Sequence, residues 1–222
     1  NNTVASVSVT GVTSSGTTSS SPLLAMYLQN GVLIANNNTI GSQSATGSLV
    51  LSTTTTSSTD VLGIYGFPSD NLTTNNNNIG GISVTNLGAS GTFIVSGMRA
   101  NLLTTLTHTA NANLIGGTIS NSIELNATGV SSQVIGLIAS TAIANYTGNI
   151  IRNLTTNIGT GTTTSASVIG ISTGTSTTPN HTLSQNTIHS LTNSNTTAAT
   201  IVTGIQFTGG TANVVERNFI HS

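Results

Sequence analysis

Charge is what this sequence has least of. Asp, Glu, Lys and Arg together make up 3% of its 222 residues, and no Lys occurs at all. Ordinary soluble domains carry about 25%. With a net charge of −1 the chain lacks the basic stripe that neutralises phosphates, which argues against nucleic acid as a partner. Cys is absent, so there is no disulfide framework, and a chain this long can bury a core without one. Trp is absent too, and aromatic residues amount to 3%, few for stacking on sugars. No apolar stretch reaches the length of a bilayer span. Sustained helical spacing of apolar residues is also missing, and the abundant Thr, Asn and Gly are poor helix formers.

What fills the chain instead is Thr, Ser, Asn and Gly, more than half of all residues. That bias alone would suit disorder, but disordered segments do not carry apolar clusters at a fixed period. Here two patterns recur. The first, [Val/Leu]-x-[Gly/Ala]-[Ile/Leu/Met], reads Leu23-Leu24-Ala25-Met26, Val61-Leu62-Gly63-Ile64, Val95-Ser96-Gly97-Met98, Val134-Ile135-Gly136-Leu137, Val168-Ile169-Gly170-Ile171 and Val202-Thr203-Gly204-Ile205. The second, Asn-x-[Ile/Val], begins at Asn2, Asn38, Asn77, Asn149, Asn186 and Asn218, with Gly117-Thr118-Ile119 as a departing copy. A fixed period of roughly 36 residues marks units that stack into one continuous core. The runs are short, β-branched and bounded by Thr, Ser and Gly, so they read as strands. Equivalent strands of successive turns then pair in parallel. The expected fold is all-β: a single-stranded right-handed parallel β-helix, a β-solenoid of about six turns, forming one domain over residues 1–222.

Strict alternation along the first pattern assigns its faces. Leu62/Ile64, Ile135/Leu137, Ile169/Ile171 and Met26/Leu28 share one side, while the Val and Gly positions share the other with Arg99, Ser172 and Gln206. Arg and Gln resist burial, so the Ile/Leu/Met side is expected inside. Val61, Gly63, Val95, Gly97, Val134, Gly136, Val168, Gly170, Val202 and Gly204 then form an outward strip. That strip is either covered by loops or free for lateral contact with another rod. In the second pattern Asn lies two residues before Ile and points the same way, so it is buried and must be satisfied. A structural ladder is expected through Asn2, Asn38, Asn77, Asn149, Asn186 and Asn218, interrupted at Gly117.

On these repeats the chain resembles the right-handed parallel β-helix family, the pectate-lyase-like group in its broad sense, over essentially its whole length. It looks most like the Thr/Asn-rich repeats of very large secreted surface proteins of Bacteroidota-type bacteria. The resemblance implies the fold and carries no particular activity. Composition adds a compartment: few charges with many hydroxyl and amide side chains suit an extracellular or cell-surface protein. The first residue is Asn, so a processed product or an excerpt of a longer polypeptide is expected.

Little here points to chemistry. Glycoside hydrolysis needs two carboxylates across one bond, yet Asp60, Asp70, Glu124 and Glu216 fall in different turns and phases. Polysaccharide lyases of the resembled group use clustered Asp for calcium and a basic Lys or Arg; the Asp cluster and Lys are missing here. Arg152, His189 and His221 each follow the repeat Ile and form a row expected to be solvated, with too few ligands for a metal. His108 and His181 are expected in loops, without a role. The sequence therefore points away from an enzyme and from any cofactor or metal. Asn-x-Thr triplets at Asn1, Asn37, Asn71, Asn126, Asn145, Asn153, Asn180 and Asn195 are frequent by chance in such a composition.

The longest loops, at 13–21, 52–59, 155–165 and 192–200, fall at one phase and should emerge along one edge. Both chain ends fall at the phase of the Asn pattern, without a capping helix. Bare solenoid ends invite further strands, so Asn2, Val4, Val7, Phe219 and Ile220 are candidate assembly edges. The leading expectation is a non-enzymatic structural or adhesive β-helix that assembles end to end into a filament or forms part of a long surface adhesin. Its partners would be copies of itself and surface glycans. The alternative is a carbohydrate-binding or polysaccharide-degrading β-helix; a third reading is ice binding through rows of Thr.

Overall fold

The computed structural model describes residues 1–13, 15–67, 69–129, 131–159, 166–174 and 180–222. Among these, strands dominate, and the one helical piece is a 3₁₀ turn at Thr18–Ser20. Every inter-strand pairing is parallel. Each turn visits three sheets in the same order, and the molecule is a parallel β-solenoid.

The glycine pattern forms a 6-stranded sheet of Leu23–Gln29, Thr59–Phe67, Phe93–Ala100, Gln133–Ala139, Val168–Thr173 and Val202–Phe207. Like stacks on like: Leu23, Val61, Val95, Val134, Val168 and Val202 share one register column, and Met26, Ile64, Met98, Leu137, Ile171 and Ile205 another. A second 6-stranded sheet runs from Leu33–Ile34 to Val214–Glu216. The asparagine pattern opens the third, an 11-stranded sheet with a fork. In the first four turns its strands are split in two, as in Asn78–Gly80 followed by Ile82–Asn86. From the fifth turn the long strand Ile150–Thr156 pairs with both arms and closes the fork.

The outward strip is corrected by this structure. Val61, Val95, Val134 and Val168 are buried in the main core together with Ile64, Met98, Leu137 and Ile171. Val202 is exposed because its sheet has no further turn beyond it. The second position faces the other way: Ile135 and Ile169 gather with Ile138 and Ala166 in a separate cluster. Alternation fails because the glycine also faces inward. A Cβ at Gly63, Gly97, Gly136, Gly170 or Gly204 would lie 3.0, 2.5, 2.6, 2.7 or 2.8 Å from Cγ2 of Ile79, Ile115, Ile151, Ile188 or Ile220. Each of those isoleucines belongs to the next asparagine strand along the chain. The two patterns therefore interlock: the isoleucine fills the hollow the glycine leaves. With a second inward residue at Ile64 or its equivalents, the strand bends and positions one, three and four all meet the core.

This interlock makes Gly136→Ala costly. Its Cβ would also sit 2.6 Å from the backbone oxygen of Gly170, so the sheet must shift. Overpacking of this kind costs about 1–3 kcal/mol. Thermal and urea melts followed by circular dichroism should show the loss; an unchanged midpoint would mean the hollow is not filled by Ile151.

Among the described residues, the loops preceding the glycine sheet lie at one corner of the turn, as at 54–58 and 87–92. Of the expected loops, Ser14 and residues 160–165 lie outside the described residues.

Candidate functional site

The asparagine strands begin where the chain leaves the preceding sheet. The residue before every asparagine from Asn38 onward bends the backbone into left-handed conformation: Asn37, Asn76, Ala112, Gly148, Gln185 and Arg217 have φ of 58°, 54°, 51°, 66°, 56° and 53°. Only Gly and Asn adopt this conformation readily. Ala112, Gln185 and Arg217 are held there by the hydrogen bonds of the asparagine that comes next in the chain.

These asparagines form a column of seven: Asn2, Asn38, Asn77, Asn113, Asn149, Asn186 and Asn218. Along it, each backbone N–H and each side-chain Nδ2 donates to the Oδ1 one turn further on, at 2.8–3.0 Å throughout. The other Nδ2 hydrogen of Asn77, Asn113, Asn149, Asn186 and Asn218 goes to the backbone oxygen of Ala35, Thr74, Ala110, Tyr146 and Leu183. Asn38, Asn77, Asn113, Asn149 and Asn186 are buried. A buried primary amide is tolerable only when satisfied in this way.

The expected interruption at Gly117 is a misassignment. The fourth copy is Asn113-Leu114-Ile115, with Leu114 and Ile115 in register with Asn78 and Ile79 below and Ile150 and Ile151 above. Gly117 lies in the loop after that strand. A Cβ there would fall 2.2 Å from the backbone oxygen of Gln43, so its glycine serves a close backbone approach.

The column is polar in direction. At one end Asn2 Oδ1 has no preceding asparagine to receive from; at the other, the Asn218 N–H and one Nδ2 hydrogen have no further Oδ1 to reach. Around Asn218 the apolar side chains are open: Val214, Val215, Phe219 and Ile220 are 45%, 50%, 61% and 52% exposed. At the opposite end Val4 and Val7 are partly buried against the core, and Thr3–Val4 and Val7–Val12 are sheet edges.

The four carboxylates fall on different strands and loops and have different partners. Asp60 Oδ2 accepts from the Thr18 N–H at 2.7 Å and from Arg99 Nη1 at 2.9 Å, and Arg99 Nε donates to Ser140 Oγ at 3.1 Å. One chain of polar contacts thus ties four turns together. Glu124 Oε1 accepts from Ser83 Oγ, and Asp70 Oδ1 from the Asn71 N–H. Glu216 is exposed on the last strand of its sheet. Arg152, His189 and His221 share a register column, with the two imidazoles stacked 4.8 Å apart. Burial, then the nearby His221 and Arg152, lowers the His189 pKa.

His108 is not a loop residue, whereas His181 lies just before the strand Thr182–Ser184, outside any strand as expected. His108 lies on the strand Thr107–Asn111 and both histidines are fully buried. Thr74 Oγ1 and the Tyr146 hydroxyl sit 2.8 Å from Nε2 and Nδ1 of His108. Burial pushes the His108 pKa down to about 3 and raises that of Tyr146. His181 Nδ1 accepts from the Ala144 N–H, and burial lowers its pKa as well. A signal for His108 was present in the sequence: Leu72 and Thr74 stand two positions apart, as do His108 and Ala110, the spacing of one strand face.

Comparison with protein-family models, with curated proteins and with solved structures finds no match to this chain.

Proposed function

We propose that the protein is a non-enzymatic structural and adhesive rod of the extracellular space or cell surface, built like the right-handed β-helices of large secreted surface proteins, and that it lengthens by stacking end on end. The observation that carries this reading is the polarity of the asparagine column. The donor pair at Asn218 matches the Oδ1 acceptors at the other end of the column, Asn38 once Asn2 is displaced, so a head-to-tail joint extends the ladder without a new kind of contact. Such a heterologous joint that does not close gives filaments. Flanking turns of a longer polypeptide would continue the same rod as part of an adhesin.

The strand count sets the form of the joint. Seven asparagine strands face six glycine strands, so direct stacking would leave one glycine strand missing. The mismatch disappears if Phe219–His221 of one copy takes the place of Thr3–Val4 in the next. Asn218 then donates to Asn38 of the neighbour, as Asn2 does within the chain, and Val7–Val12 stays in place. The exchange trades a two-residue strand for a three-residue one and covers Phe219 and Ile220.

Electron microscopy and sedimentation velocity across a wide concentration range test this. Rods that lengthen with concentration are expected. Ile220→Asp should abolish them at temperatures where its own melt shows the variant still folded, a check needed because Ile220 also packs against Gly204. Monomers at every concentration, or undiminished assembly of the variant, would contradict the proposal.

A further inference from the structure

Of the chain's three Tyr and four Phe, Tyr27, Tyr65 and Phe67 gather on one flank in the first two turns. Beside them lies a depression of about 470 Å³ whose lining includes Asn30, Phe67, Ser69, Asn101, Leu103 and Thr141. Volumes of this order suit small ligands. Phe67 is 47% and Leu103 68% exposed, so the floor is an apolar platform open to solvent. The platform is left uncovered by the turn above. Ala100 pairs with Gly66, the Asn101 N–H donates to the Gly66 oxygen, and the chain then turns away before reaching Phe67.

The polar groups at its rim are held in place. Thr141 Oγ1 donates its single hydrogen to the Leu102 backbone oxygen, which leaves Asn101 Oδ1, 3.3 Å away, free to accept, and Asn101 Nδ2 donates to the Tyr65 hydroxyl at 3.5 Å. Each group keeps further capacity, since an amide offers two donors and two acceptor sites. Ser69 Oγ accepts from the Gly31 N–H at 3.0 Å, which leaves its own hydrogen to donate. None of the lining residues is charged. Asp70, which follows Ser69 in the chain, has its Oδ1 taken by the Asn71 N–H, and Asp60 and Arg99 neutralise each other at 2.9 Å.

We propose that this depression binds a neutral pyranose sugar, with the apolar CH face of the ring on Phe67 and Leu103 and its hydroxyls on Asn30, Ser69, Asn101 and Thr141. The charge pattern selects the class. In the lining an acidic sugar, phosphate or peptide carboxylate finds no cation to replace its water, and a cationic ligand finds no carboxylate. A purely apolar ligand would leave the amide and hydroxyl rim unpaired. A pyranose has an apolar face and a hydroxyl edge, which matches floor and rim together. A second depression, sharing Phe67 and Asn101, continues past the stacked rings of Tyr27 and Tyr65 toward Gln29. An oligosaccharide can therefore extend along the rod from the first ring. The site lies on the flank and does not depend on how the ends stack.

Saturation-transfer NMR and calorimetry on the full chain provide the test. The probes are the methyl glycosides of glucose, galactose and N-acetylglucosamine, with glucuronic acid and benzyl alcohol beside them. Neutral glycosides should bind, with saturation strongest on the CH protons of one ring face. Phe67→Ala should weaken binding about tenfold or more, because the stacking platform is lost, and its melt should be unchanged. Asn101→Ala should weaken binding through the lost rim contacts. Failure of every neutral glycoside, binding indifferent to Phe67→Ala, or a preference for glucuronic acid or benzyl alcohol would each overturn the assignment.

Discussion

Replacing Asn113 by alanine should destabilise the solenoid by about 4 kcal/mol, since each buried polar group left unpaired costs about 1–3 kcal/mol. Three groups lose their partner at once. The backbone N–H and one Nδ2 hydrogen of Asn77 lose the Oδ1 that accepts from both, and the Thr74 oxygen loses its donor. All lie inside the rod, where water cannot substitute. Asn218→Ala is the control. That residue is partly exposed, and water can take over for Asn186, so a loss under about 1 kcal/mol is expected there. Denaturant melts of both variants measure the difference, and amide exchange at Asn77 should accelerate in Asn113→Ala before global unfolding. Equal losses at the two positions would mean that the column contributes as ordinary turn hydrogen bonds do, without a premium for burial.

Acid should weaken the protein once the pH falls below about 6.5, through His108. His108 has an unfolded pKa near 6.5 and a folded value of about 3. The folded state holds the ring neutral, so between these values the unfolded chain binds the extra proton. Stability from this source is complete above pH 6.5 and falls as the pH drops toward 3. The slope is about 1.4 kcal/mol per pH unit and the total roughly 5 kcal/mol. Urea melts between pH 7 and pH 4 should show it. His108→Leu places at this position the residue type of its register neighbour Leu72. The variant should lose stability at pH 7, because Thr74 and Tyr146 lose their shared partner, and should be less steep in acid by one proton. A residual slope from His181, whose pKa burial also lowers, should remain. An unchanged slope would place the sensitivity elsewhere.

Much of the architecture was legible because repetition amplifies weak local signals. A single Val-Ile-Gly-Ile says little, but six copies in phase require stacked parallel strands. The asparagine column was legible for the same reason: an amide two residues before an isoleucine shares its face and must find a partner. The Gly117 assignment failed because Asn113-Leu114-Ile115 and Gly117-Thr118-Ile119 lie four residues apart and both fit the apolar half of the pattern. Only the fork in the sheet, with its extra loop through residues 116–122, separates them. The pairing of His108 with Thr74 and Tyr146 was hidden because its members stand 34 and 38 residues apart. No local rule links residues at that distance unless the register is known.

The sequence by itself determined the period, the strand content, the parallel stacking and the inward amide, since each comes from side-chain chemistry repeated at one spacing. Tertiary structure alone decided which side of the glycine strand is the interior. Period-two alternation assumes that every residue has a side chain to place. At Gly63, Gly97, Gly136, Gly170 and Gly204 the space belongs to an isoleucine of another strand, which lets the backbone bend and bring valine and isoleucine to the same core. That choice depends on a packing contact between two motifs, and neither motif contains it alone.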